Sequence, residues 1–143
     1  MKSYSIVTGD PGIQLIISNI NVSYLDFNNG NPYNTVFTVE VTSGDFVGKS
    51  KFEYNIKEFV RFVREIRDLY NFKLNFVELN DICYGSNIQF SLSKKGHITI
   101  SGTIFGTARE HSLVFKFTTD QTALAPFSNS LYKDYVTEHQ LKV

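Results

Sequence analysis

The stretch from Asn55 to Tyr70 constrains this chain more than any other. Apolar residues fall at Ile56, Phe59, Val60, Val63, Ile66 and Tyr70, a period near 3.6, and Phe62 and Leu69 widen the stripe. That spacing predicts an amphipathic helix. Asn55 is placed to cap it, with Glu58 three residues on as a capping-box partner. Arg61 with Glu65 and Arg64 with Asp68 form i,i+4 pairs on the wet side. Ordering a helix of this length costs more than its own side chains return. It therefore needs a sheet to dock on, and the rest of the chain offers one.

On both sides of the helix the sequence alternates apolar and polar residues, the period of a half-buried strand. Tyr4–Thr8 and Ile13–Ser18 read as strands joined by an Asp10-Pro11-Gly12 turn, and Ile20–Leu25 continues extended. Asp26–Pro32 reads as a loop. Asn34–Thr42 and Phe46–Tyr54 form a hairpin over Ser43-Gly44-Asp45, with Phe46, Gly48, Ser50, Phe52 and Tyr54 on one face. After the helix, Phe72, Leu74 and Phe76 read as a strand, and Glu78–Ser86 as a polar loop. Three further strands follow around the Lys94-Lys95-Gly96 and Gly106–Glu110 turns. Their inner face, with that first strand, comprises Leu74, Phe76, Ile88, Phe90, Leu92, Ile98, Ile100, Leu113, Phe115 and Phe117. Thr119 or Asp120 can cap a last helix, from about Thr122 to Glu138, whose stripe is Leu124, Phe127, Leu131 and Tyr135. Pro126 fits only its first turn.

This order predicts an α+β fold. It is mostly antiparallel sheet in a meander, with one mid-chain amphipathic helix and one C-terminal helix. A two-layer arrangement and a half-open barrel both fit. A length of 143 residues suits a single domain over 1–143, large enough to bury its own core.

Fourteen basic and fourteen acidic residues balance to zero net charge, which argues against a broad nucleic-acid surface. Cys83 is the only cysteine, so no disulfide framework is available. No apolar run approaches membrane-spanning length, and no secretory leader is recognisable. The reading is a soluble protein of the reducing cytoplasm.

The reactive residue types are scattered. His97, His111 and His139 lack ligand spacing, and no metal or other cofactor is expected. Cys83 stands without a nucleophile signature. Glu78 and Asp81 are explained by loop solvation rather than by an acid–base pair. The expectation is not an enzyme. What remains is interaction surface. Tyr24, Asp26, Phe27 and Tyr33 gather aromatic rings near turns, the composition of an interface hot spot. The alternative is that these rings fold back over a sheet edge.

The C-terminal half carries a resemblance. Gly96-His97-Ile98-Thr99-Ile100-Ser101-Gly102-Thr103-Ile104, then Leu113-Val114-Phe115-Lys116-Phe117, then Thr119-Asp120-Gln121-Thr122-Ala123-Leu124 and Pro126-Phe127, resembles the WapI family of bacterial immunity proteins. The helix Phe59–Ile66 and the hairpin around Gly48 fit the same pattern, so the likeness runs from about Ile13 to Tyr135. The resemblance implies a cytoplasmic protein that binds and neutralises a cognate polymorphic, contact-dependent toxin, often a nuclease. It supplies no toxin-contacting residues. A small-ligand or carbohydrate-binding sheet module is the alternative, and it would need a concave face lined by exposed rings.

Overall fold

The computed structural model describes residues 2–8 and 12–137. Eight strands form two four-stranded antiparallel sheets, each a simple meander, and neither closes into a barrel. The first contains β1 (Ser3–Val7), β2 (Ile13–Val22), β3 (Thr35–Ser43) and β4 (Phe46–Tyr54). The second contains β5 (Phe76–Asn80), β6 (Asn87–Leu92), β7 (His97–Phe105) and β8 (Ser112–Asp120). A five-residue helix, α1 (Tyr24–Asn28), joins β2 to β3. Helix α2 (Ile56–Tyr70) joins the two sheets, and α3 (Gln121–Tyr132) follows β8. The fold is α+β, with the mid-chain and C-terminal helices that the periodicity predicts.

Helix α2 is the joint between the layers. Asn55 Oδ1 accepts the Lys57 N–H at 2.8 Å and caps it. Ile56, Phe59, Phe62, Val63, Ile66 and Leu69 are buried, while Val60 and Tyr70 sit half-buried at the margins. Phe59 lies 5.2 Å from Phe37 of β3, ring centre to ring centre. One turn on, Phe62 lies 5.8 Å from Phe90 of β6. The i,i+3 spacing thus aims two rings of one helix at two sheets. On the wet face Arg61 reaches Glu58 at 2.8 Å and Glu65 at 4.0 Å. The expected Arg64–Asp68 pair does not form among the described residues, and Glu58 turns to Arg61.

Asp68 serves the helix end through its carbonyl, which accepts the Lys73 N–H at 2.7 Å. Phe72 takes φ 62°, so the helix closes in a left-handed cap of the Schellman type. Glycine is usual at that position, and a phenylalanine there gives no sequence warning. The expected Phe72–Phe76 strand is therefore displaced. Strand β5 begins at Phe76, and Val77 and Leu79 point inward, while Phe76 is 46% exposed. A one-residue change of register exchanges the two faces of a strand. The first three residues of the supposed loop Glu78–Ser86 thus belong to β5, with Leu79 in the core.

Elsewhere the alternation holds. Ile88, Phe90, Ile98, Ile100, Phe115 and Phe117 are buried, with Leu74, Leu92 and Leu113 packed against them. Strand β2 absorbs an irregularity between Ser18 and Asn21, where Asn19 takes φ 56°. Phe46 departs from the expected inner face and is 70% exposed, because it lies at the hairpin tip. Gly48 lies where β4 packs against β7 and β8. A Cβ there would come within 2.8 Å of Leu113 Cδ2. In β7 a Cβ at Gly102 would overlap the Asn87 carbonyl oxygen. The backbone leaves room only for glycine at Gly102, while at Gly48 any side chain would force Leu113 to shift.

Asp120 caps α3, accepting the Ala123 N–H at 3.1 Å. Pro126 falls in the second turn, not the first as expected, and the helix runs through it. It continues as a π-helical turn over Lys133–Thr137. There Asp134 accepts the Tyr4 hydroxyl at 2.6 Å and pairs with Lys2 at 2.6 Å, tying β1 to the helix end. Burial alone would raise the Asp134 pKa, but the Lys2 and Tyr4 hydrogen bonds outweigh it and hold the carboxyl below its ordinary range. Most of the Asp10-Pro11-Gly12 turn, Glu138 and His139 lie outside the described residues.

Replacing Phe62 by alanine removes one of the two bridging rings and leaves a void between α2 and β6. The expected loss is about 3–5 kcal/mol, read from denaturant midpoints. A loss below about 1 kcal/mol would show that α2 does not join the sheets in this way.

Candidate partner-binding surface

Residues 23–34 make the corner between β2 and β3. The Ser23 side chain accepts the Asp26 N–H at 3.2 Å and starts α1. This is a helical turn where extended chain up to Leu25 and then an irregular loop were expected. It closes through Asn29 N–H to the Leu25 carbonyl (3.0 Å), Gly30 N–H to the Phe27 carbonyl (3.1 Å) and Asn31 N–H to the Asp26 carbonyl (2.9 Å). Asn31 Oδ1 then accepts the Tyr33 N–H at 2.9 Å.

Asn34 fixes this corner to the body of the molecule. It is buried, and every amide atom is used. Its Nδ2 donates to the Asn31 carbonyl at 3.0 Å. Its Oδ1 accepts the Ile56 N–H at 2.9 Å and the Thr35 hydroxyl at 3.0 Å. The Ile56 N–H belongs to the first turn of α2, which has no partner within the helix. One asparagine thus satisfies the helix start and holds the corner against it.

The result is a stapled platform. Tyr24 is 44% exposed, Leu25 72% and Tyr33 54%. Phe27 turns back onto the core, with the Lys57 ammonium 5.8 Å from its ring centre. Asp26 is half-buried and its backbone builds the turn. Of the four residues singled out in the sequence, two present their rings outward and two hold the platform. Leu25 was missed, because the extended reading gave it no distinct role.

A second polar anchor joins the sheets. Asp81 is 4% exposed, and its carboxylate accepts three backbone N–H groups. They come from Glu53 (2.8 Å), Cys83 (3.1 Å) and Tyr84 (2.9 Å). Ile82 N–H donates to the Glu53 carbonyl at 3.2 Å. The loop after β5 therefore covers the end of β4. Ser86, also buried, accepts the Phe105 N–H at 2.9 Å and shares a hydrogen bond with the Ser50 hydroxyl at 3.1 Å. Spacing alone gave no sign of either role, since both residues read as loop polarity.

The reactive residue types do not converge. Glu78 is exposed on β5 while Asp81 is buried, so they form no carboxylate pair. His97 and His111 are exposed at two separate turns. Desolvation, with the negative charges of Glu53 and Asp81, pushes the Cys83 thiol up, away from the thiolate a nucleophile needs. No group of three or more His, Cys, Asp and Glu side chains gathers among the described residues. No described helix is long and apolar enough to cross a membrane. A surface groove of about 430 Å³ runs between the β3–β4 tip and the start of β8, lined by Phe46, Val47, Gly48, Ile104 and Leu113.

These features define a double-sheet α+β protein with exposed Tyr24, Leu25 and Tyr33 on a corner held by buried Asn34. A profile of the immunity protein WapI-like family matches residues 6–136, and the chain belongs to that family. Among solved structures, one titled as crystal structures of Trypanosoma brucei MRP1/MRP2 superposes with a TM-score of 0.56 at 10% identity. The match covers 96% of this chain and 87% of that one, and at this identity it shows the fold alone. No curated protein matches the chain.

Replacing Asp81 by alanine strands three backbone donors and releases the loop from β4. The expected loss is about 3 kcal/mol in equilibrium unfolding, with Asp81→Asn recovering part of it. A change within about 0.5 kcal/mol for the alanine variant would remove Asp81 from this role.

Proposed function

We propose that this chain neutralises a bacterial polymorphic toxin delivered on cell contact, of the nuclease type, by stoichiometric binding in the cytoplasm and without turnover. Membership of the immunity family over residues 6–136 carries this reading. The family supports a toxin-neutralising role, and the nuclease assignment is the finer part of the proposal. A single exposed cysteine, with no second one to form a disulfide, suits a reducing compartment.

Tyr24, Leu25 and Tyr33 supply the anchoring side chains in this proposal, and Asp26 and Phe27 keep them in position. The support is physical. Binding costs conformational entropy for every side chain and loop that must be ordered. A platform already fixed by Ser23, Asn31 and Asn34 spends little of it. Tyrosine adds large contact area with few rotatable bonds.

The test is calorimetry against the purified toxin domain encoded beside this gene. Tyr24→Ala and Tyr33→Ala should each weaken binding about 10- to 30-fold, or about 1.4–2 kcal/mol, and Tyr33→Ala should leave the melting temperature unchanged. Unchanged affinity in both variants would move the contact face elsewhere. Absence of a complex with the unaltered chain at micromolar concentration would contradict the toxin reading itself.

A further inference from the structure

Strand β8 ends the second sheet and pairs with β7 along its full length, from His97 opposite Asp120 to Phe105 opposite Ser112. Half of its backbone N–H and C=O groups consequently point away from β7. Among the described residues, Ser112–Thr118 make no further backbone hydrogen bond on that side. The other edges differ. Asp81 and Ile82 take up the Glu53 backbone on β4. The β1 and β5 edges are five residues long, with α3 packed on β1 and α2 on β5. Nine-residue β8 offers a long edge, approached by β4 near Leu113 and making no further backbone hydrogen bond from Val114 to Thr118 among the described residues.

Its outward side chains state what would fit. One cross-strand row runs Glu78, Gln89, Ser101, Lys116. Glu78 stands three strands from Lys116, about 14 Å at the usual strand spacing. That exceeds the screening length of about 8 Å at physiological salt. Lys116 forms no ion pair among the described residues. Two residues away Val114 is 75% exposed at the end of the row Asn80, Asn87, Thr103. The next position in each row, about 5 Å further out, belongs to whatever adds to the edge. A carboxylate there would face Lys116, and an apolar side chain would face Val114. A second copy of β8 centred on Lys116 would instead oppose two ammonium groups, and an edge lysine deters indiscriminate pairing.

We propose that the β8 edge docks an extended segment of a partner protein, as a fifth strand, with an acidic residue set against Lys116 and an apolar one against Val114. Main-chain hydrogen bonds supply the attraction and these two side chains the selectivity. The proposal is independent of the aromatic platform.

The test titrates the ¹⁵N-labelled full chain with the peptide acetyl-Thr-Val-Thr-Glu-Thr-Val-Thr-amide, whose pattern fits either strand direction. A second peptide carries Lys in place of Glu. Shift changes and slowed amide exchange confined to Ser112–Thr118 are expected with the first peptide and not the second. Lys116→Glu, on an exposed side chain, should reverse this preference, with at least a tenfold change for each peptide. Absence of shifts at millimolar peptide, shifts centred elsewhere, or equal response to both peptides would overturn the proposal. So would a peptide-free dimer with Ser112–Thr118 protected, which would make the occupant a second copy.

Discussion

The two sheets approach each other where β4 packs on β7 and β8 around Gly48, and the space between them beyond that contact must be filled from elsewhere. Helix α2 fills it. A continuous run of rings passes from Phe52 to Phe37 (5.3 Å), to Phe59 (5.2 Å), to Phe62 (6.1 Å) and to Phe90 (5.8 Å). It begins in the first sheet, crosses two turns of one helix and ends in the second. Each ring is buried, so each contributes area and the favourable tilted geometry of aromatic pairs. The orientation of the sheets, and hence the place of every surface feature, follows from that run.

Buried polar side chains then fix what the apolar core leaves loose. Asn34 holds the aromatic corner to the start of α2, and Asp81 and Ser86 hold the loop after β5 to the first sheet. Hydrophobic contacts are non-directional, whereas these groups specify one geometry and cost heavily if unpaired. On the proposed function such rigidity is an advantage, since the side chains proposed to meet the toxin are already placed. The same economy explains how aromatic rings remain on the surface of a chain whose core uses so many.

The helix and most strands were legible in the sequence because their periods are long and clean. Asn55, Phe59 and Ile66 announce α2, and Ile98, Ile100, Phe115 and Phe117 announce the later strands. The errors cluster where local chemistry is unusual. Phe72 adopts a backbone conformation that glycine normally signals, and this shifted β5 by enough residues to exchange its faces. Pro126 is tolerated inside α3. Asp81 looks like any loop aspartate until the fold brings Glu53 beside it, because a contact 28 residues away has no local signature. The candidate surface was half legible. Tyr24 and Tyr33 stand outward, Phe27 turns in, and Leu25 became visible only once residues 24–28 proved helical.

The central claim is that this chain acts by occupying a toxin rather than by altering it. Titrating a fixed amount of the toxin domain with the chain, and following the toxin's own activity, tests that most directly. The account predicts a linear fall to zero at one equivalent, with full activity and unchanged mass recovered when the complex is separated under denaturing conditions and the toxin refolded. Inactivation by a small fraction of an equivalent, or a toxin recovered with altered mass, would contradict it.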